Sequence, residues 1–479
     1  MPFPSLRSAR YVSLAGSPTS VGTSVLLALV FAFPACVAYE PFPLDPDTIR
    51  TEFLSRTPTD AGLVAFAAAL TAEGRAPSFD PSDGIGAEEA EVVALFFNPE
   101  LRRLRAEVGI SAEGARTAGA FADPVFGLDA ERILEDVDDP WLVGGTVGLS
   151  LPLSGRPDAE RGAASAVHRA ELARLAVAEW DVRIAVRTAF ARHAADLRRV
   201  EAFALQLSAL DPAAKVVDIM QKAGEIPRTE ARLYALDRAV RTAEADLAEA
   251  AAAESAREIH ALLGLLPGAA AVLVADLTTA ALPEADVARR SAADRNPRLL
   301  ARRAAYEAAE EALRLEVARQ FPDLSLSPGL ATEDGMARAL LAIAAAPPLF
   351  DGNRRGLAEA DARRTAEREA FAAETAAVFG GLAGGLARAA AAVRIRMRLT
   401  ETAALADEQS ADLRRTAEAG RFNPTAILES LNRVHEIRLK LIDARLSEAT
   451  ALLQAAAVIG PASSATSPTA SRPAKEESP

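Results

Sequence analysis

The sequence repeats itself at a distance of about 196 residues. Three landmarks recur in the same order: Asn98-Pro99 and Asn296-Pro297, Pro152-Leu153 and Pro348-Leu349, and Ala223-Gly224 and Ala419-Gly420. The offsets between members of these pairs are 198, 196 and 196 residues. Units of solenoid proteins are only ~20–50 residues long, so a repeat of this length indicates a duplicated half-molecule.

The duplication predicts the organisation of the 479-residue chain. The first half is expected at 87–263, with strands at about 124–153 and a helix hairpin at about 157–262. The second half is expected at 296–457, with strands at about 322–347 and a helix hairpin at about 353–457. The remaining segments are a signal peptide (1–35), an N-terminal extension (36–86), a connection between the halves (264–295) and a disordered tail (458–479).

The N-terminus has the pattern of a secretion signal. Arg7 and Arg10 give it a positive start, and an apolar stretch follows from Val25 to Phe33. Cys36, the only cysteine of the chain, comes directly after this stretch. It resembles the lipid-attachment cysteine of bacterial lipoproteins. Cleavage after Ala38 is the alternative, and it would remove Cys36 with the signal peptide.

Composition excludes several classes of function. The net charge of −13 argues against binding to nucleic acid, because no basic stripe is present to neutralise phosphates. No uninterrupted apolar run of ~18 residues follows the N-terminus, so a transmembrane helix is not expected. The four histidines, at positions 168, 193, 260 and 435, lack the spacing of metal ligands, and no glycine-rich phosphate loop occurs. We therefore expect neither an enzyme nor a cofactor or metal site.

One segment has the period of a membrane-crossing strand. Apolar residues occupy one face: Val143, Val147, Leu149, Leu151 and Leu153, with Gly145. Small and polar residues occupy the other: Gly144, Thr146, Gly148, Ser150 and Ser154. The alternation lasts ~10 residues, the length of a strand that crosses a bilayer, so Val143, Val147, Leu149 and Leu151 are predicted to face lipid. A strand of a soluble sandwich would show the same pattern.

The corresponding strands of the second half are less regular. Leu324, Leu326 and Leu330 alternate with polar or small residues. Pro328 and the alanines around Ala344 weaken this prediction, because proline removes a hydrogen-bond donor and alanine is a poor strand former.

The helices are expected to be very long. A helix from Pro157 to Lys222, at ~1.5 Å per residue, would be about 100 Å long. Val182, Val186, Phe190, Leu197 and Val200 have the spacing of a coiled-coil seam. Asp211-Pro212 is expected to interrupt the helix, because an internal proline clashes with the preceding turn.

Two hairpins supply only four strands per chain. Four strands do not close a barrel, and lipid does not tolerate an open sheet edge. Several chains would therefore have to pool their strands, and three chains would give twelve strands around an open lumen.

Paired motifs support a resemblance to a known family. The strand-to-helix transitions PLSGRPDAERGAA and PLFDGNRRGLAEA, and the turns AGEIPRTEARL and AGRFNPTAILESL, resemble those of the TolC-like outer membrane efflux proteins. The resemblance covers about Glu91 to Ala457 and implies a mainly α fold with a pair of membrane β-hairpins. As a homotrimer, such a chain forms a twelve-stranded β-barrel in the outer membrane and a long α-helical coiled-coil tunnel across the periplasm.

The resemblance also implies a function and its partners. It implies a passive duct in a tripartite efflux or type I secretion-like system, opened by a periplasmic adaptor and driven indirectly by an inner-membrane pump. The start CVAYEPFPLDPDTIRTEFLSRTP is similar to the lipidated branch associated with heavy-metal exporters. The alternative from the residues is a periplasmic coiled-coil scaffold or envelope-tethering lipoprotein without a pore. Aromatics make up only 5% of the chain, fewer than membrane barrels usually carry, and this favours that alternative.

In this family the breaks between paired helices form the periplasmic tip, where the tube narrows and the adaptor docks. The resemblance therefore implies the following tip or gate residues: Gly224, Glu225, Gly420, Arg421, Asn423 and Glu429. Glu429 matches an acidic position of gated members, whereas Ala426 stands at the neighbouring acidic position. A ring of three carboxylates in a narrow pore would select cations.

Overall fold

The computed structural model describes residues 39–461 with gaps at 75, 77, 135–140, 268–271, 278–280 and 334–335. The expected signal peptide, Cys36 and the tail from residue 462 lie outside the described residues. The chain divides into two units, Met1–Glu52 and Phe53–Pro479. In the first unit, Thr48 at the start of a helix donates a hydrogen bond from Oγ1 to the Asp45 carboxylate.

The described residues are mainly helical, with four strands, as the sequence predicts. In chain order the elements are α1 (Pro46–Leu54), α2 (Ala61–Ala72), α3 (Ala87–Phe97), α4 (Pro99–Thr117), β1 (Val125–Arg132), β2 (Trp141–Pro152), α5 (Arg156–Ala223), α6 (Arg228–Leu263), α7 (Ala285–Arg295), α8 (Pro297–Ala318), β3 (Asp323–Glu333), β4 (Met336–Ala345), α9 (Arg354–Glu418) and α10 (Pro424–Ile459). The order α4-β1-β2-α5-α6 recurs as α8-β3-β4-α9-α10. The last helix continues two residues into the expected tail, because Ile459 is buried against Leu299 and Leu382.

Each half is closed by the same contact between its first and last helices. The Asn98 side chain caps α4 by accepting hydrogen bonds from the backbone of Glu100 and Leu101. Its Nδ2 also donates to the carbonyl of Leu262, at the end of α6, at 3.1 Å. Asn296 caps α8 in the same way. Its Nδ2 donates to the carbonyl of Val458, at the end of α10, at 2.6 Å.

A glycine permits the chain to approach closely at each of these junctions. Gly264 and Gly460 both have positive φ angles, of 69° and 89°. A β-carbon on Gly264 would lie 2.5 Å from the carbonyl oxygen of Phe97, and one on Gly460 would lie 2.7 Å from that of Arg295. Both contacts are too short for a side chain, so only glycine fits.

The four strands form one antiparallel sheet in the order β1-β2-β3-β4. Val147 is opposite Phe126, Leu149 is opposite Leu326, and Leu326 is opposite Ile343. Strand β3 continues through Pro328, which is paired with β4. The pairing of β3 with β2 is interrupted at Pro328 and resumes in the same register, as expected where one ladder donor is missing.

Helix α5 is 68 residues long and contains Pro212. The predicted interruption at Asp211-Pro212 is therefore wrong. Proline costs a helix interior ~3 kcal/mol. Packing offsets this cost, because the flanking residues Leu210 and Ala213 are buried in one apolar cluster with Tyr234. An ion pair of 2.8 Å between Arg238 and Asp211 adds a link to α6.

The four long helices pack in the order α6, α5, α10, α9 among the described residues, with α8 against α5 and α9. The predicted seam is partly correct. Val186 and Phe190 are buried in the core formed with α3, and Val182 packs against it. Leu197, however, is 42% exposed, because the inner face of α5 has shifted to neighbouring alanines by this point.

Of the described helices, only α9 has the length and composition of a membrane span. It contains an 18-residue window with a mean hydropathy of 1.5, of which 28% is buried. Length and composition alone do not distinguish a membrane span from a helix that packs against other helices.

Candidate functional site

The sheet has one apolar and one small or polar face. Because opposite residues share a face, the register places these side chains on the apolar face: Phe126, Leu128, Val143, Val147, Leu149, Leu151, Leu324, Leu326, Leu330, Leu341 and Ile343. The other face is mainly small or polar, with Gly127, Asp129, Gly144, Thr146, Gly148, Ser150, Ser325, Ser327 and Gly329, and also carries Val125, Leu142 and Leu340. The weaker second hairpin thus continues the faces of the first.

The four predicted lipid-facing residues of β2 all lie on the apolar face. Val143, Leu149 and Leu151 are 44%, 37% and 37% exposed. Leu151 is opposite Leu324 on β3. A row of partly exposed aliphatic side chains that crosses all four strands is costly in water and is typical of a surface that contacts a membrane or another protein.

Aromatic residues that the sequence reasoning missed flank one end of the sheet. Phe121 precedes β1, Phe321 precedes β3 and Phe350 follows β4, with exposures of 69%, 57% and 96%. Because neighbouring strands are antiparallel, the start of β1, the start of β3 and the end of β4 all lie at the same end of the sheet. At the opposite end, Trp141 packs under the Arg132 guanidinium, which is 5.6 Å from the ring centre. The three phenylalanines lie just outside the strands, so strand periodicity did not include them.

The two breaks between paired helices have the same geometry. Gly224 and Gly420 have φ angles of 77° and 84°. After Gly224, the Glu225 amide donates to the carbonyl of Met220 at 2.9 Å, and after Gly420 the Arg421 amide donates to that of Thr416 at 3.2 Å. This six-to-one bond is the Schellman ending of a helix.

The two tips pack against each other through an apolar cluster. Ile226 and Phe422, which are 196 residues apart, both lie in this cluster with Tyr234. The Tyr234 hydroxyl donates to the carbonyl of Pro424 at 2.6 Å, and burial raises its pKa to about 12. The Thr425 hydroxyl donates to Glu230 at 2.9 Å, so both helix hairpins are joined at their ends.

The predicted tip residues are exposed, and the residue directly after the glycine is acidic at one tip and basic at the other. Glu225 and Arg421 hold equivalent positions after the glycines Gly224 and Gly420. Asn423 is also exposed, and its Oδ1 accepts a hydrogen bond of 3.0 Å from the Ala426 amide. The Asn423 side chain thus caps α10.

Glu429 lies one turn into α10 with a side chain that is 74% exposed. Its carboxylate is 3.8 Å from the guanidinium of Arg433, a residue that the sequence reasoning did not consider. Both line a groove of about 440 Å³ between α9 and α10, together with Leu405, Gln409 and Ile437. Any negative potential from Glu429 is therefore reduced by Arg433.

The seam between α5 and α10 combines polar pairs with apolar clusters, such as that of Ala195, Ala202 and Ile442. Arg199 contacts Asp443 at 2.7 Å, and Gln206 donates to Asn432 at 3.0 Å. Asn432 donates in turn to Asp237 of α6 at 3.0 Å.

The same seam contains a buried histidine. His435 is 1% exposed, and its ring centre is 4.7 Å from that of Phe203. Burial lowers the pKa of His435.

The other histidines have local structural roles. His193 Nδ1 is 2.9 Å from the Ser255 hydroxyl, and His168 Nδ1 is 3.0 Å from the Ser111 hydroxyl. In the part of the chain that the structure describes, no three potential ligands among His, Cys, Asp and Glu come together as a metal site.

No protein-family model and no curated protein sequence matches this chain. Solved structures do match it. The outer membrane protein VceC from Vibrio cholerae has a TM-score of 0.65 and 16% identity, over 78% of this chain and 96% of its own. CusC, which forms a transmembrane channel, has a TM-score of 0.64 and 14% identity, over 78% and 92%. The open MtrE outer membrane channel of Neisseria gonorrhoeae has a TM-score of 0.61 and 16% identity, over 78% of this chain and 88% of its own. The chain has a TolC-like fold.

The predicted family resemblance is thus confirmed at the level of the fold. Of these solved structures, CusC and MtrE are described as channels and VceC as an outer membrane protein.

Proposed function

We propose that this protein is a passive duct in the outer membrane, formed by three copies of the chain. The copies pool their strands into a twelve-stranded barrel, and their helices form a tunnel across the periplasm. A periplasmic adaptor opens the duct, and an inner-membrane pump supplies the energy for export. The observation that carries this proposal is the four-stranded sheet with one apolar and one small, polar face.

The sheet is not a complete membrane structure by itself. Strands β1 and β4 are its edges, and their unpaired backbone groups would cost several kcal/mol each in hydrocarbon. Joining copies edge to edge removes this cost. Two copies give eight strands, whose interior is filled by side chains, and three copies give twelve, which leave a lumen. The polar face, with Thr146, Ser150 and Ser325, suits a water-filled interior.

The height of the apolar face fits an outer membrane. From Trp141 to Leu151 strand β2 rises about 33 Å at ~3.3 Å per residue. A tilt of ~35–45° reduces this to about 25 Å, the height of the apolar band of outer-membrane barrels. Phe121, Phe321 and Phe350 then lie where aromatic girdles meet lipid headgroups. The low aromatic content of the chain favoured the scaffold alternative, and these three phenylalanines weigh against it because they lie where a barrel needs aromatic residues.

The tips are the proposed gate and docking site. Exposed Gly224, Glu225, Gly420 and Arg421 present backbone and opposite charges to the adaptor. The Asn423 side chain is used in capping, so Asn423 contributes mainly by holding the turn. Glu429 is the proposed gate carboxylate, with Arg433 as its partner on the same helix.

The remaining proposals concern attachment and the alternative function. We propose that Cys36 is the lipid-modified N-terminus of the mature chain, which intact-mass measurement of the purified protein would test. A periplasmic scaffold without a pore is not favoured, because it would leave the continuous apolar face of Val147, Leu149 and Leu326 without an apolar environment.

Reconstitution tests the proposed function. The mass of the purified protein in detergent is expected to be three times the 50.2 kDa of one chain, apart from processing. In planar bilayers, removal of both helix tips is expected to give a large, stable conductance. A monomeric mass, with no conductance even after removal of the tips, would exclude the duct.

A further inference from the structure

Arg132 is the one charged residue on the apolar face of the sheet, counted over the four described strands. It is the last residue of β1, and the register places it opposite Trp141, the first residue of β2. The other strand positions on this face are apolar, except Thr332, whose hydroxyl donates to the carbonyl of Val143 at 3.3 Å. The surroundings of Arg132 therefore decide what a cation can do on this face.

The height of Arg132 on the sheet matches the edge of a bilayer. Trp141 and Leu151 mark the two ends of the apolar row of β2, which are about 25 Å apart across a tilted outer-membrane barrel. An arginine on the lipid face is costly at the middle of a bilayer and costs little near its surfaces. Tryptophan is enriched at the same level. Arg132 and Trp141 thus lie where lipid headgroups begin.

Arg132 lies at the end of the sheet that is far from the long helices. Strand β1 starts after α4 and β2 ends before α5, so the helices connect at the opposite end. With the helices in the periplasm, as proposed, Arg132 lies at the outer leaflet. At the helix end, Arg156 of α5 is 2.8 Å from the carboxylate of Asp323, so its charge is already neutralised there.

The charges at the outer end of β1 are divided between the two faces. Asp129 and Glu131 alternate with Arg132 and lie on the opposite face, paired with Gly144 and Leu142. None of the carboxylates of the four described strands lies on the face of Arg132. In the proposed barrel, the negative charges therefore face the lumen and the positive charge faces the lipid.

Trp141 supports the Arg132 guanidinium from one side. The guanidinium carbon is 5.6 Å from the centre of the Trp141 ring, within the range of a cation–π contact. Such a contact uses the face of the guanidinium, whereas its N–H donors point outward from the edge of the plane. These donors match two oxygens of one phosphate group. The pair has the chemistry of a phosphate site at the rim of an apolar surface.

We propose that Arg132, supported by Trp141, binds the phosphate group of a lipid in the outer leaflet. This inference rests on the proposed function, because it requires the apolar face to lie in a membrane. The apolar side chains below Arg132 contact the acyl chains of the same lipid, which a free phosphate ion lacks. A duct of three copies would carry three such sites around its outer rim.

Trp141 itself reports on binding at this site. The chain has two tryptophans, so W180F leaves Trp141 as the single one. The W180F oligomer, purified in a maltoside detergent, is titrated with phosphatidic acid while its emission is recorded. In this background R132Q is expected to bind about tenfold more weakly, because it loses a charge-assisted contact. R132K keeps the charge but not the paired donors and should fall between them.

The matched control is R338Q. Arg338 is opposite Ala331 near the same end of the sheet but on the lumen face, so its replacement should leave the affinity for phosphatidic acid unchanged. Detergent-stable oligomer is measured for every variant, so that a loss of binding is not a loss of assembly. Equal affinities of R132Q and R338Q would overturn the site.

Two further ligands distinguish a lipid phosphate from its parts. Diacylglycerol has the same acyl chains without the phosphate, and inorganic phosphate has no acyl chains. Neither is expected to change the emission of Trp141 at the concentrations at which phosphatidic acid does. An equal response to diacylglycerol would show an apolar contact only. An equal response to inorganic phosphate would show an adventitious ion only, and either result would overturn the proposal.

Brominated lipids test where Trp141 lies in the membrane. In vesicles, the emission of Trp141 in W180F is expected to be quenched most by lipids brominated near the headgroup. The control is W141F, which retains Trp180 of α5, whose indole donates to the carbonyl of Ala457 at 2.9 Å. Equal quenching of the two tryptophans would place Arg132 away from lipid and overturn the site.

The outcomes separate this inference from the proposed function. A conducting trimer in which R132Q and R338Q bind phosphatidic acid equally would overturn the phosphate site and leave the duct intact. A monomer without conductance, in the unaltered protein and after removal of the tips, would overturn the duct itself, and the site with it.

Discussion

The side-chain amides of Asn98 and Asn296, 198 residues apart, each tie the start of one helix to the end of another. Asn98 joins α4 to the end of α6, and Asn296 joins α8 to the end of α10. Each long hairpin is therefore fixed at the base from which it extends, while its tip is held by a different set of contacts. Substitutions at the base of a hairpin can therefore be made without changing the contacts at its tip.

Replacing either asparagine with alanine is expected to destabilise the protein. Loss of a helix N-cap costs about 0.5–2 kcal/mol, and the Leu262 or Val458 carbonyl also loses a donor. Thermal unfolding followed by circular dichroism should show lower midpoints for N98A and N296A. N98D is the matched control, because aspartate keeps the cap but not the donor, and it should fall between wild type and N98A. Equal midpoints for wild type, N98A and N98D would contradict this role.

The two faces of the sheet are expected to tolerate charge differently. Val147 and Thr146 are adjacent in β2 but lie on opposite faces. On the lipid face near the middle of a bilayer, Arg or Lys costs ~2–4 kcal/mol and Asp somewhat less, whereas a charge in a water-filled lumen costs little. V147D should reduce the amount of heat-resistant oligomer in outer-membrane fractions much more than T146D. Equal reductions would count against a barrel with Val147 facing lipid.

The seam around His435 is expected to weaken in acid. The charged groups that face His435 are Arg241, Glu244, Arg438 and Asp237. Burial lowers the pKa of His435 in the folded state, so the unfolded or opened state binds a proton first as the pH falls below about 6.5. Stability contributed by the neutral ring is therefore present at neutral pH and is lost towards lower pH.

Thermal midpoints measured from pH 7.5 to pH 5 test this sign. The wild-type midpoint should fall more steeply than that of H435L, which carries no titrating ring at this position. An H168L variant serves as control, because His168 is half-buried and hydrogen-bonded to Ser111 outside this seam. Identical pH profiles for H435L and wild type would show that His435 is not responsible.

Charge at the proposed gate is expected to affect ion selectivity. E429Q should lower the preference for cations, measured as the reversal potential across a bilayer in a salt gradient. R433Q should raise it, because Arg433 lies 3.8 Å from the same carboxylate and reduces its potential. No change in either variant would place Glu429 away from the narrow part of the pore.

Much of this fold could be predicted because the duplication and the strand periodicity can both be recognised directly in the sequence. The alternation around Val147 depends only on neighbours along one strand, and the glycines Gly224 and Gly420 mark the turns directly. The effect of Pro212 could not be predicted in this way. The helix continues through Pro212 because Leu210 and Ala213 pack against Tyr234, which is distant in sequence.

The functional surfaces show the same limit. The position of Phe121, Phe321 and Phe350 at the same end of the sheet can be inferred only once the strand order is known. Likewise, the exposure of Leu197 depends on which neighbours surround α5 at that height. Single-strand and single-helix patterns contain neither kind of information.

The opposite charges of Glu225 and Arg421 limit how a partner can bind the end of the tube. In the proposed ring of three copies, acidic Glu225 and basic Arg421 would alternate around six tips of nearly identical backbone. A partner that engages all six with identical subunits would meet two classes of site, each favouring a different surface. The stoichiometry of docking should therefore follow the threefold pattern of charge rather than the sixfold pattern of shape. A partner that presents an acidic and a basic surface in turn would fit best.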